Sequence, residues 1–164
     1  MSSNELQGLY QQVILDHARE RHGFGLRSGA AAESHQVNPT CGDEITLQVH
    51  LDERGTISSL GWEGHGCAIS QSSASLLSDL APGLTVAQLT ERIGAFRVAM
   101  RSKGTIEPDE ELLGDAVVLG GTSRYIARVK CAMLAWVAAE GAIDTLDHTV
   151  KQPQARGADP ATAP

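Results

Sequence analysis

The sequence predicts an α/β domain of the α+β kind, a small antiparallel sheet of about three strands flanked by helices, and three patterns carry that expectation. Between residues 44 and 63 apolar and polar residues alternate on both sides of a turn, the period of a hairpin with one buried face. Before and after it, apolar residues recur at three- and four-residue steps, the period of amphipathic helices. A short extended piece, His35 to Val37, precedes the hairpin and offers it a third strand.

In chain order, Leu6, Leu9, Tyr10, Val13 and Ile14 describe one face of a helix from Ser2 to about Arg21. Ser2 and Glu5 offer a capping box at its start, and Gly23 and Gly25 end it. His17 continues the apolar stripe and reads as a histidine at the edge of the core. Ser28 to Glu33 is a run of small residues, expected to be a mobile loop. Asn38-Pro39-Thr40-Cys41-Gly42-Asp43 then sets a thiol and a carboxylate two residues apart on one turn. Pro39 fixes its own φ and biases Asn38 toward extended backbone, while Gly42 permits a conformation that a Cβ would strain.

After that turn Ile45, Leu47, Val49 and Leu51 alternate with polar residues, the clearest strand in the chain. Asp52-Glu53-Arg54-Gly55 supplies turn chemistry, and Leu60 and Trp62 resume the alternation. Ile57 is out of phase with them, which predicts a bulge near Ser58-Ser59. Gly64-His65-Gly66-Cys67 leads into a helix to about Leu80, placing Cys67 near a helix N-terminus, where free backbone N–H groups favour a thiolate. That helix is rich in small hydroxyl residues, so its stability must come from close packing.

Pro82-Gly83 breaks the helix, and Thr85 with Gln88 caps the next one, on which Val86, Leu89, Ile93, Phe96 and Met100 keep helical spacing. Lys103 to Gly114 carries a run of acids that reads as solvated loop or helix start. Gly120-Gly121-Thr122-Ser123 introduces a helix to about Glu140, with Ile126, Val129, Met133, Trp136 and Val137 on its buried side. Cys131 belongs to this helix, with Arg128 three residues before it and Lys130 beside it. From Lys151 to Pro164 the composition turns to Pro, Ala, Gly and isolated charges, the mark of a disordered tail. Residues 1–150 therefore read as a single domain.

Composition bounds the function. With 164 residues and only two each of Trp, Tyr and Phe, one core built from aliphatics is expected. A formal charge of −7 argues against nucleic acid or anionic membrane surfaces as partners, since both reward clustered Lys and Arg. The sequence shows neither the pattern of a secretory signal nor a run of the ~20 apolar residues that span a bilayer. These features read as a soluble, cytoplasmic chain. Three cysteines would strand one thiol in a disulfide framework, so metal binding or nucleophilic chemistry is the better use.

Cys41, Asp43, Cys67 and Cys131 together make three sulfurs and one oxygen, a ligand set that suits zinc. By spacing alone Cys67 and Cys131 read equally well as ordinary buried cysteines. Cys41, on a Pro/Gly turn, does not read as core. A Cys-His hydrolase with His65 or His35 as base is a further reading, although neither histidine has a distinctive context.

Four motifs in collinear order narrow these alternatives. They are Leu9-Tyr10-Gln11-Gln12-Val13-Ile14-Leu15-Asp16-His17, Asn38 to Asp43, Gly64-His65-Gly66-Cys67-Ala68-Ile69-Ser70 and Ala127-Arg128-Val129-Lys130-Cys131-Ala132. Together they resemble the SufU family, relatives of the U-type iron-sulfur scaffold proteins, over about residues 6 to 145. The resemblance implies the U-type scaffold-like fold and a zinc ion held by Cys41, Asp43, Cys67 and Cys131. It also implies that Cys41 accepts persulfide sulfur from a pyridoxal-phosphate cysteine desulfurase of the SufS kind and relays it to the cluster assembly machinery. Arg128 is implied to lie near the site, where it would pair with the freed thiolate or persulfide. A partner histidine is implied to replace Cys41 on the metal.

Two features separate the branches of that family. Scaffold-like members resemble one another in a histidine just before the third cysteine, where this chain has Lys130, and in a Leu-Pro-Pro-Val-Lys motif that residues 124–130 lack. The segment around Arg101 to Asp115 resembles the extra segment of the SufU-like branch. Both favour sulfur transfer over a scaffold on which an iron-sulfur cluster forms, and a structural-zinc interaction module is a third reading. Arg21-His22, where Pro-Arg is common, and Ile126, where proline is common, depart from the SufU pattern.

Overall fold

In the computed structural model, which describes residues 3–151, the chain forms helix α1 (Ser3–Glu20), strands β1 (Ala32–Asn38), β2 (Asp43–Leu51) and β3 (Ile57–His65), and helices α2 (Ala68–Leu80), α3 (Val86–Arg101), α4 (Glu110–Leu113) and α5 (Ile126–Lys151). The strands make one antiparallel sheet with β2 central. This is the α+β architecture that the hydrophobic periods predict. α5 packs against β1 and β2, α2 packs beside α5, and α1 packs against α2. Trp62 from the sheet, Phe96 from α3 and Trp136 from α5 are among the largest fully buried side chains. Phe96 and Trp136 stack with ring centroids 4.0 Å apart.

The hairpin register shows how an irregular apolar pattern is accommodated. His50 pairs with Ser59 and Leu51 with Ile57, so Ser58 is the extra residue of a bulge. Ile57, Leu60 and Trp62 thereby all reach the core. The bulge expected near Ser58-Ser59 is present.

Other expectations are corrected. The run from Ser28 to Glu33 is not loop throughout, because β1 begins at Ala32, paired with Val49. Its small and polar side chains gave no alternation to read. α5 does not end near Glu140 but continues to Lys151. Gly141, which resembles a helix stop, marks instead where α5 passes β1: a Cβ there would sit 2.7 Å from Ser34 Oγ. Ile126 is 72% exposed, not buried, because the first turn of α5 projects beyond the core. Leu6 and Leu9 are likewise exposed, and α1 buries Tyr10, Val13, Ile14 and His17 in part or in full.

Between α4 and α5 the chain runs as a 3-10 helical segment, Gly114–Arg124, unforeseen in the sequence. Its buried residues Ala116, Leu119 and Thr122 fall at three-residue steps, the 3-10 period. Ser2 of the expected capping box and, apart from Lys151, the expected tail lie outside the described residues. No helix among the described residues is long and apolar enough to cross a membrane.

Candidate metal centre

The site is built from three elements that meet at one end of the sheet. The β1–β2 turn is held from within: the N–H groups of Cys41 and Gly42 both donate to Asn38 O, at 3.2 and 2.8 Å. Gly42 has φ 75°, the left-handed region that the sequence assigns to its missing Cβ. Asn38 and Asp43 close the turn as the terminal pair of the β1–β2 ladder. Cys41 is thereby left exposed at the turn, while Asp43 is buried.

β3 then leads to α2 through two glycines that permit close approach. A Cβ on Gly64 would collide with the backbone carbonyl of Glu44. One on Gly66 would collide with Ser70 Oγ and lie 2.5 Å from Asp43 Oδ1. Cys67 is the N-cap residue of α2, with extended backbone and no side-chain cap. Asp43 caps it from outside, since Cys67 N–H donates to Asp43 Oδ1 at 3.1 Å. The second oxygen, Asp43 Oδ2, is buried without a partner among the described residues. A buried carboxylate oxygen with no hydrogen bond is costly unless a cation or proton meets it.

Cys131 arrives from α5, buried, and completes the group. Its Sγ lies 3.6 Å from Cys41 Sγ and 3.5 Å from Ala127 O. Ligand atoms of Cys41, Asp43 and Cys131 all lie within 4.8 Å of one another. Cys67 stands at the rim of this trio, with its sulfur 3.9 Å from Ser70 Oγ. Burial, and then the neighbouring Asp43, Cys67 and Cys41 side chains, push the Cys131 thiol far above the ordinary cysteine range. Cys67 falls outside the tightest trio and is joined to it through its N–H bond to Asp43 Oδ1. Three donors, of which two are buried, thus face one small volume with Cys67 at its edge, and a divalent cation there would reverse the cost of ionising them. The donor chemistry and the orphaned Asp43 Oδ2 both fit zinc.

Residues that the sequence reading weighed as bases are otherwise engaged. His35 Nε2 meets Glu44 Oε2 at 2.6 Å, and His65 Nε2 lies 3.2 Å from Glu44 Oε1. The hydrogen bond from His35 holds the Glu44 carboxyl below its ordinary range. Neither imidazole is hydrogen-bonded to a cysteine sulfur among the described residues, so the thiol–base pairing of a Cys-His hydrolase is not formed. Glu44 was not singled out from the sequence as part of the site, whereas Asn38, Gly66 and Ser70 entered only within the quoted motifs. Strand register alone signals Glu44, which lies opposite His65 on β3.

Arg128 is exposed on the first turn of α5 and makes no ion pair among the described residues. It borders a groove of about 950 Å³ whose walls include Leu6, Tyr10, Ile69, Ile106 and Tyr125. That groove runs between α1 and the 3-10 segment, reaches the first turns of α2 and α5 at Ile69 and Arg128, and takes in Leu6 among the apolar side chains that α1 leaves exposed.

Comparisons with known proteins agree with this architecture. Residues 9–132 match the family model of the NifU-like N terminal domain. The chain is 37% identical to the zinc-dependent sulfurtransferase SufU of Bacillus subtilis, over 85% of this chain and 93% of that protein. It is 34% identical to the iron-sulfur cluster assembly scaffold protein IscU of Streptococcus pyogenes, over 87% of each. Among solved structures, a SUF-system scaffold protein from Fervidobacterium islandicum superposes with a TM-score of 0.72 at 30% identity, covering 87% of this chain and 99% of that one. By motif, fold and likeness alike, the chain belongs to the NifU-like N-terminal domain family and shares the SufU pattern within it.

Proposed function

We propose that this protein is a zinc-dependent sulfur acceptor that takes persulfide sulfur from a pyridoxal-phosphate cysteine desulfurase onto Cys41 and relays it to iron-sulfur cluster assembly. The observation that carries the reading is an exposed Cys41 whose sulfur lies 3.6 Å from the buried Cys131, beside the unpartnered Oδ2 of Asp43. Cys41, Asp43, Cys67 and Cys131 would hold the zinc, which when bound would keep the cysteines as thiolates at neutral pH. SufU of Bacillus subtilis, to which the chain is 37% identical, is named a zinc-dependent sulfurtransferase, which supports the reading.

The division of exposure gives each residue a role. Cys131 and Asp43 are fixed in the core and hold the site together. Cys41 faces outward, within reach of a partner's persulfide. Its thiolate attacks the outer sulfur of the desulfurase persulfide; one S–S bond breaks as another forms, and the desulfurase cysteine leaves as a thiolate. No net oxidation occurs. Arg128, exposed beside the groove and without an ion pair of its own among the described residues, would balance the charge on a sulfur-loaded Cys41.

The experiment is incubation with a cysteine desulfurase and cysteine, followed by mass spectrometry of alkylated peptides. The added sulfur is expected on Cys41. Its appearance mainly on Cys131, or its absence from the chain, overturns the assignment. A scaffold reading draws on the names of the Streptococcus pyogenes and Thermotoga maritima relatives. It predicts visible absorption from a bound cluster in freshly purified protein, whereas zinc protein is colourless.

A further inference from the structure

A second group of metal-ligating side chains stands where α1 ends against α2. His17 is buried on the last turns of α1, His22 follows that helix, and Asp79 lies on the last turn of α2. Ligand atoms of these three residues lie within 4.8 Å of one another. The two imidazoles meet edge to face, 4.8 Å between centroids. Asp79 is twelve residues beyond Cys67, and a rise of 1.5 Å per residue separates the two places by roughly 18 Å.

The group is held in position from several sides. His17 Nδ1 is 2.7 Å from Ser75 Oγ, a contact of the kind that fixes the orientation of a ligating imidazole. The same hydroxyl oxygen accepts His22 N–H at 2.9 Å, and His22 O accepts the Trp62 indole N–H at 2.8 Å. Arg21 adopts φ 48°, a left-handed conformation rare outside glycine, and it is this turn that brings His22 back onto α2. His22 then reaches Asp79 Oδ2 at 2.8 Å through Nδ1 and Glu20 Oε1 at 2.9 Å through Nε2.

Two features of this cluster point to a cation. Burial, and then the nearby His22, hold His17 below the ordinary histidine range, so it stays a neutral donor at pH 7. Two carboxylates converge on its neighbour, and their hydrogen bonds raise His22 in turn, so positive charge is favoured at this spot. A metal ion would meet that preference through the same donors. Two imidazoles and a carboxylate suit a borderline divalent ion rather than magnesium or calcium.

We propose that His17, His22 and Asp79 form a second binding site, for a divalent ion of the zinc or cobalt class, that fastens the end of α1 to α2 and works independently of the three cysteines. The site depends on His22, one of the residues at which this chain departs from the SufU pattern. It rests on no assumption about the cysteine centre.

Cobalt(II) titration of the chelator-stripped full chain tests it, because cobalt bound to thiolates shows a sulfur-to-metal charge-transfer band that cobalt bound to nitrogen and oxygen lacks. The parent is expected to take up a second equivalent that adds visible d–d intensity without adding charge transfer. His22→Gln and Asp79→Asn should each weaken that equivalent by at least about tenfold and leave the charge-transfer band unchanged. Zinc added past the first equivalent should also shift the imidazole NMR signals of His17 and His22 in the parent, a readout that needs no variant. The proposal fails if those signals do not move, if every bound equivalent brings charge transfer, or if the equivalent without charge transfer survives both substitutions. Absence of the charge-transfer band would instead count against the cysteine centre, so the two readings fail separately.

Discussion

Cys131 Sγ lies 3.6 Å from Cys41 Sγ, although ninety residues separate them in the chain. One sulfur is locked in a helix that crosses the sheet; the other sits on an exposed turn. Loss of the locked sulfur should therefore cost the site more metal than loss of the exposed one.

Cys131→Ser is expected to lose most of the zinc retained by the parent after dialysis, and Cys67→Ala and Cys41→Ser, both at exposed positions, less of it. Zinc at a hundred times its Kd stabilises a native state by about 2.7 kcal/mol. For a chain of this size that is about 5 to 10 °C in melting temperature. Metal analysis with thermal unfolding, with and without chelator, checks this. A Cys131→Ser protein with parental zinc and an unchanged melting temperature would sink the single-site model.

Ser73 should be among the most sensitive small residues in the fold. Its hydroxyl donates to Ala132 O at 2.6 Å and accepts the Trp136 indole N–H at 2.8 Å, fully buried between α2 and α5. Ser73→Ala leaves the buried Trp136 indole N–H without its acceptor, at a cost of about 1 to 3 kcal/mol. Ser72→Ala, which removes only a bond within its own helix to Ile69 O, should cost less. Urea unfolding of the two variants, with similar slopes, gives the comparison directly.

The hairpin, the helix starts and the bulge were legible because each imposes a period or a cap that survives in one dimension. Thr85 and Gln88 form the reciprocal capping box their spacing describes. The serines of α2 were legible as a packing device, and Ser70, Ser72, Ser73, Ser75 and Ser78 are buried. The 3-10 segment was not, because a run of three-residue steps through Ala, Leu and Thr imitates loop composition. Convergence of Cys41 and Cys131 was a matter of motif likeness, since spacing gives no distance between a turn and a helix interior. The His17–His22 contact was invisible for the same reason: it depends on a left-handed turn at Arg21 that no side-chain pattern announces.

His50 should make the fold more acid-sensitive. It is buried on β2, hydrogen-bonded to Gln48 Oε1 at 3.1 Å, and burial and then the Arg27 charge hold it below the ordinary value of 6.5. Above that value both folded and unfolded chains hold it neutral, and it contributes no slope. Below it the unfolded chain binds the proton first, so stability falls as pH drops. His17, also lowered, adds the same sign, and His22, which is raised, opposes it. His50→Gln should therefore flatten part of the loss in urea midpoint between about pH 7.5 and about pH 5.5. An unchanged pH profile would show that His50 is protonated equally in both states.

Asp43 joins two tasks that substitutions can separate. Oδ1 caps the first turn of α2 through the Cys67 N–H, and Oδ2 is the orphan that faces the sulfurs. Asp43→Asn keeps an oxygen for the cap but replaces the orphan with an amide nitrogen, which does not ligate zinc. Asp43→Ala removes both. The metal-free Asn protein should stay within about 0.5 kcal/mol of the parent, while the Ala protein should lose about 1 kcal/mol, the usual worth of a helix cap. Both should retain zinc at least about tenfold less well against a competing chelator, because a first ligand is gone. Denaturant unfolding of the stripped proteins separates the two variants, and chelator competition tests what they share. An Asp43→Asn protein that holds zinc as tightly as the parent would reduce Asp43 to a helix cap and leave the three sulfurs to find their fourth ligand elsewhere.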